Sequence, residues 1–318
     1  MQMRSSYVAY GLQLRTDFPL PGMTTRTAPQ LPGLELCTVS PAELERKWSG
    51  APDPPLWQGL LGDGCTLTIE RGEAEDLLFT YADRARFRLR ASRETLDCAP
   101  SQQDLHWQQA LLGKVLPTIA VIRGYEGLHA AGLDSPAGVL AIAAPSGTGK
   151  STLAVELLQR GWRLFADDTL VLERQAGEVR AHPGTPHMNL AIDRPRSSDE
   201  HPLGRTLATL AGERWLAVGE ASERSRPVRM VCMLDRGPGM ALEAATLPSN
   251  PLLFAPYMLG LFSDAERRRD RFCLYGDLID SAAIVRLTAG AEHRPQEIAD
   301  LLERTFEQVV EPVAEALA

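Results

Sequence analysis

The run Ala144-Pro145-Ser146-Gly147-Thr148-Gly149-Lys150-Ser151 has residue types and an order that suit a polyphosphate. It is the phosphate loop GxxxxGK[ST] with alanine in place of the first glycine. Successive backbone N–H groups in such a turn point inward as an anion nest, and a following helix adds the positive end of its dipole. Gly147 and Gly149 supply the backbone freedom and close approach that a side chain would obstruct. Lys150 sets a point charge against the β- and γ-phosphates, and the Ser151 hydroxyl can ligate Mg²⁺. Pro145, Ser146, Gly147, Thr148, Gly149, Lys150, Ser151 and Thr152 are therefore the expected nucleotide-binding residues. A chance Gly-Thr-Gly-Lys-Ser loop in a coil is the alternative, and the flanking pattern opposes it.

Asp167 and Asp168 follow, at the expected carboxyl end of the next strand, where open α/β sheets bind ligands. Two adjacent carboxylates on a strand face opposite ways, so they divide the work. One can hold a metal and the other can accept a proton from an attacking hydroxyl. Capping of the following turn is the other reading of the pair. His129, in Glu126-Gly127-Leu128-His129-Ala130, stands beside an apolar run and, taken alone, reads as a satisfied core histidine.

These residues need elements to carry them. Val139–Ala144 is a continuous apolar run suited to a buried strand, and Lys150–Arg160 is amphipathic and stopped by Gly161. Trp162–Ala166 is a second buried strand leading into the acidic pair, which completes a βαβ unit. Upstream, Tyr7–Leu14, Cys65–Ile69 and Leu77–Leu89 look like half-buried strands, and Ser49–Pro55 is a proline-rich loop. The texture changes at Pro100. Asp104–Ile122 is apolar at helical spacing, with Pro117 kinking or interrupting it. Val228–Leu234 reads as a further strand and Ile298–Val310 as an amphipathic helix. The expected organisation is a smaller strand-rich domain over residues 1–100, a possible substrate-docking unit, and an α/β P-loop domain over 101–318.

The chain has 318 residues, 44% of them hydrophobic and 23% charged, which suits a sizeable buried core. Forty-one acidic against 33 basic side chains give a formal charge of −8, which disfavours general nucleic-acid binding. Lys47, Lys114 and Lys150 are the only lysines. Five scattered cysteines with no CxxC pair signal neither a disulfide framework nor a zinc site. The start of the chain has no apolar signal core and no run is long enough for a membrane span, so a soluble cytoplasmic protein is expected.

His129 some twenty residues before Lys150, the short phosphate loop, and Gly161-Trp162-Arg163-Leu164-Phe165-Ala166-Asp167-Asp168 together resemble the HPr kinase/phosphorylase family. The resemblance runs from about Gly127 to Arg194. It implies a kinase of a protein or peptide serine, with ATP and Mg²⁺ held by the loop, Asp168 as general base, Asp167 in the metal shell, and His129 tuning the base. Asp193, in Asn189-Leu190-Ala191-Ile192-Asp193-Arg194, falls where the family carries a metal-binding glutamate. The opening phrase Tyr7–Pro21 is similar to that of the branch containing lasso peptide precursor kinases, which makes a precursor peptide the favoured acceptor. Homo-oligomers also occur in the family. The family's later arginine- and glycine-rich loop has no clear counterpart, and Glu266–Arg271 reads more simply as a solvated helix face. That puts a phosphorylase activity, and HPr as acceptor, in doubt. An NTPase switch, a nucleotide-sensing regulator and a small-molecule kinase stay open beside the peptide kinase.

Overall fold

The computed structural model describes residues 4–50, 54–60, 64–175, 177–192, 200–210, 212–219, 221–259 and 264–316. They form a mixed α/β fold. The first sheet has eight strands, all between Ser5 and Pro100, in the spatial order Ser5–Ala9, Leu12–Thr16, Gly33–Thr38, Thr95–Pro100, Ala85–Leu89, Leu77–Tyr81, Thr66–Arg71 and Trp57–Leu60. Two expected strands turn out to be hairpins. Tyr7–Leu14 turns at Tyr10 and Gly11, whose φ values of 56° and 74° suit a tight two-residue connection. Leu77–Leu89 turns after Tyr81, with Ala82 at φ 45°.

The helical stretch expected over 104–122 spans His106 to Ile122, but its middle is a π-turn, Leu111–Val115, between regular segments His106–Ala110 and Leu116–Ile122. Pro117 explains the break. A proline lacks the N–H of a regular helical bond, and its ring collides with the carbonyl four residues earlier. The apolar side of this helix (Trp107, Leu111, Leu112, Val115, Leu116 and Ile119) shares one core with the first sheet through residues such as Phe79 and Phe87.

In the second sheet the strands Arg163–Ala166, Ala130–Ser135, Gly138–Ala143 and Arg226–Arg236 lie side by side, and Ala283–Ala289 pairs in parallel with Arg226–Arg236. Ala130–Ser135 is antiparallel to both neighbours, so the βαβ unit is split by one inserted strand. The register Ala130↔Ala143 and Gly132↔Ala166 puts the start of the inserted strand and the ends of its neighbours on one edge. Helix Lys150–Gln159 packs through Leu153, Ala154 and Leu157 on one face, beside Ile298, Leu302 and Phe306 of helix Pro295–Ala316. Gly161, at φ 96°, closes the first of these helices as expected.

A smaller sheet of His187–Ala191, Glu213–Val218, Gly204–Leu210 and Glu200–His201 has no counterpart in the sequence reading. Its strands are short, and among the described residues Met188, Trp215 and Leu216 are their essentially fully buried apolar side chains. Among the described residues no helix is long and apolar enough to cross a membrane.

The arginine run is helical, within Ala265–Ser281, but it is not simply a solvated face. Arg267 and Arg271 turn inward and ion-pair with Glu126 at 3.0 and 2.9 Å. The Arg267 guanidinium also donates to the carbonyls of Val121, Gly124 and Tyr125, which close the preceding helix. Glu126 and Arg271 are only 2% and 7% exposed, so removing one partner strands buried charge. Glu126→Ala should lower unfolding free energy by about 3 kcal/mol or more in a urea titration.

His187 gives a pH signature. Its Nε2 donates to the Pro21 carbonyl at 2.7 Å, its Nδ1 has no partner among the described residues, and its ring lies 4.9 Å from Trp215. Burial pushes it from 6.5 down to about 4. Between those values the unfolded chain binds the proton and the folded chain does not, so stability falls as pH drops through that window. The decline should reach roughly 3 kcal/mol by pH 4, at about 1.4 kcal/mol per unit, and a His187→Gln variant should lack that increment.

Candidate active site

The loop joins strand Gly138–Ala143 to helix Lys150–Gln159, with Gly147 at φ 81° and Gly149 at φ 105°. Thr148 N–H donates to the Pro145 carbonyl at 3.3 Å, closing the turn, and Leu153 N–H bonds back to Gly149 at 2.9 Å. Ala144, the departure from glycine, is fully buried at the strand end, where its methyl is accommodated. A Cβ on Gly147 would meet nothing within 4 Å, so space lies open over the turn, whereas one on Gly149 would come 3.3 Å from the Arg236 guanidinium. Pro145, Ser146, Gly147 and Thr152 are exposed, Thr148, Gly149 and Ser151 are half-buried, and Lys150 is buried.

Three of the expected residues meet. Lys150 Nζ lies 3.2 Å from Asp168 Oδ1 and 3.1 Å from His129 Nε2. His129 Nδ1 is 2.9 Å from the Asp168 backbone carbonyl. A carbonyl only accepts, so Nδ1 carries the proton and Nε2 accepts from the Lys150 ammonium. This assigns a neutral imidazole. Burial lowers the His129 pKa, and the Lys150 charge adds to that against the pull of Asp168. His129 therefore aims the lysine through Nε2 and pins the Asp168 backbone through Nδ1.

Asp168 sits at φ 65°, a left-handed conformation that aspartate tolerates better than most residues and that clusters at functional sites. The turn follows strand Arg163–Ala166, and Thr169 N–H bonds to the Asp167 carbonyl at 2.7 Å. Burial pushes the Asp168 carboxyl up, but the Lys114 and Lys150 ammoniums outweigh it and hold the group well below the usual carboxylate range. It is ionised at every physiological pH.

Lys114 was not among the expected site residues. Its Nζ lies 2.5 Å from Asp168 Oδ2. The signals available were lysine scarcity and a lone cation on an otherwise apolar helical stretch, three residues before Pro117. The distance of 54 positions along the chain hid the pairing.

Asp167 faces another way. Its Oδ2 accepts from Asn189 N–H at 3.0 Å, and the Asn189 side chain is held by Gln109 at 2.7 Å. Burial, helped by the neighbouring Asp168 charge, raises the Asp167 carboxyl to about 6. A cation bound beside this carboxylate would pull that value back down. Asp193 lies outside the described residues. Among those described, no three His, Cys, Asp or Glu side chains cluster into a metal site. Asp167 and the Ser151 hydroxyl are hard oxygen donors, and so small a protein share suits Mg²⁺, which keeps several ligand positions for water and phosphate oxygens.

The arrangement presents a loop of amides and one buried ammonium to an anion, with an ionised carboxylate alongside. Should the loop take a polyphosphate, Lys150→Met would weaken binding of Mg·ATP by more than about tenfold in titration calorimetry, because a point charge on the phosphates is lost.

Comparison with known proteins adds little to this geometry. No family model matches the chain, and no curated protein matches it. One solved structure, described as the Hpr(Ser) kinase/phosphatase from Coxiella burnetii, is 13% identical with a TM-score of 0.30, covering 57% of this chain and 97% of that one.

Proposed function

We propose that this chain is an ATP-dependent kinase that transfers the γ-phosphate to a serine hydroxyl of a peptide or small protein, a lasso-type precursor peptide being the favoured acceptor. One observation carries the reading: the loop lysine and the Asp168 carboxylate, 18 positions apart, meet at 3.2 Å on the edge where three strands bring their ends together. A purely structural ion pair would not call for an anion nest beside it. The resemblance of His129, Lys150 and Asp168 in order and spacing to the HPr kinase/phosphorylase motifs points the same way.

In the proposed reaction the loop amides and Lys150 hold the triphosphate. The serine oxygen forms a bond to the γ-phosphorus, the bond from that phosphorus to the β,γ-bridging oxygen breaks, and ADP leaves. Asp168 accepts the serine proton as the new bond forms. Because its pKa is low, its contribution is position and charge rather than intrinsic basicity. Asp167 and Ser151, with Asp193 proposed as a further ligand, would hold Mg²⁺, which when bound neutralises charge on the phosphate oxygens. Most of the rate should come from alignment and charge neutralisation.

The test is transfer from γ-labelled ATP to a synthetic serine-containing precursor-type peptide. Labelled peptide is the expected product; free phosphate made without peptide would favour a hydrolase, and tight binding without turnover a sensor. Asp168→Asn should cut transfer by about a hundredfold or more while leaving ATP binding intact or tighter, since the variant removes a competitor for the Lys150 ammonium. Transfer near the parental rate in that variant would exclude Asp168 as the base.

A further inference from the structure

Lys114 belongs to neither the phosphate loop nor the acidic pair, yet it makes the shortest of the side-chain contacts to Asp168, at 2.5 Å on Oδ2. Lys150 takes the other oxygen, Oδ1, at 3.2 Å. The two ammoniums come from different elements, one from the helix after the loop and one from the π-turn Leu111–Val115.

The π-turn is what lets Lys114 reach. Leu116 N–H bonds to the Leu111 carbonyl, five residues back, and the Thr118 hydroxyl donates to the Lys114 carbonyl at 2.8 Å. On either side, Leu111, Leu112, Val115 and Leu116 stay locked in the core with the first sheet. An α-turn through the same stretch would change the register by one residue, about 100° of rotation, so the helix could not keep that face buried and Lys114 on Asp168 together. π-turns of this kind recur at functional sites.

A triphosphate carries more negative charge than one carboxylate, and the loop lysine is the group placed to meet it. Lys114 comes from an element outside the loop and holds the opposite oxygen, Oδ2. We propose that Lys114 is the positioning residue of the transfer, clamping Oδ2 of Asp168 so that Oδ1, released by Lys150 when nucleotide binds, is the oxygen that takes the serine proton. This rests on the kinase reading for the proton step. The clamp itself is a matter of charge balance and can be measured without an acceptor.

Two measurements test it. The first is a binding cycle with Mg·ATP on the full chain: parental protein, Lys114→Met, Asp168→Asn and the double variant. Without Lys114, nucleotide binding leaves Asp168 uncompensated beside the phosphates, so Lys114→Met should weaken affinity about tenfold. Adding Asp168→Asn should restore it. Equal weakening with and without Asp168 would mean that Lys114 binds phosphate directly, and affinity unchanged in Lys114→Met would mean no clamp; either overturns the proposal. The second is transfer to the serine peptide at saturating ATP. Lys114→Met should lower kcat by about a hundredfold with Lys114→Arg recovering part of it, and a kcat within twofold of the parental value overturns the positioning role. Circular dichroism checks folding, and Lys114→Gln replaces the Met variant if that one does not fold. Should the parental protein label no peptide, the kinase reading fails while the binding cycle still decides the clamp.

Discussion

The Asp168 carboxylate, gripped by an ammonium on each oxygen, is the contact on which the site's geometry depends. Two positive charges face one negative charge, with a neutral imidazole between Lys150 and the Asp168 backbone. The cluster therefore sets two ammoniums around one carboxylate beside the phosphate loop, where an incoming anion can compete for them. It also explains the strained backbone. At φ 65° the Asp168 carbonyl turns to His129 while its side chain turns to the lysines. A residue in an extended strand would present one or the other.

That contact draws on distant parts of the chain. His129 precedes the inserted strand, Lys150 opens the loop helix, Asp168 follows the crossover strand, and Lys114 arrives from a helix whose apolar face is buried against the first sheet. The first hundred residues are thus coupled to the chemistry through packing: the core formed by Phe79, Phe87 and their neighbours seats the helix that carries Lys114. Tyr10, at the tip of the first hairpin, touches the site's surroundings as well, donating its N–H to the Pro183 carbonyl at 2.7 Å. The helix is held from the far side too, by Arg267 on the carbonyls of Val121, Gly124 and Tyr125.

Local chemistry was legible in the sequence, and long-range pairing was not. The loop, the two flanking strands and the helix between them follow from apolar runs, glycine placement and a capping glycine at Gly161, all within some thirty residues. The expected order His129, Lys150, Asp168 describes side chains that meet in space. What escaped are features set by tertiary context. A period-2 pattern cannot say where one strand becomes a hairpin, so Tyr10–Gly11 and Ala82 were read through. The sheet around Trp215 is built of short strands without clean alternation, residues 215–218 being a continuous apolar run and Glu200–His201 only two residues. Arg267 and Arg271 look solvated until Glu126, far upstream, supplies the countercharge. Pro117 announced a disturbance, but whether a helix breaks, kinks or widens depends on what its neighbours must bury, and here a core on both sides leaves the widened turn.

The paired grip on Asp168 also bears on the order of events in the proposed reaction. While Lys150 rests on Oδ1 and Lys114 on Oδ2, both oxygens are taken up in ion pairs, so an acceptor arriving first competes with two ammoniums for the base. A triphosphate that recruits Lys150 opens one oxygen and fills the loop in the same movement, and only then do acceptor, base and phosphorus share a site. His129 reinforces the coupling, since the lysine that leaves Asp168 also leaves Nε2, and the imidazole still holds the Asp168 backbone through Nδ1. In the proposed reaction, activation of the alcohol would be contingent on the nucleotide through one moving ammonium. This requires no domain closure, and it gives the fixed second lysine a reason to come from outside the loop.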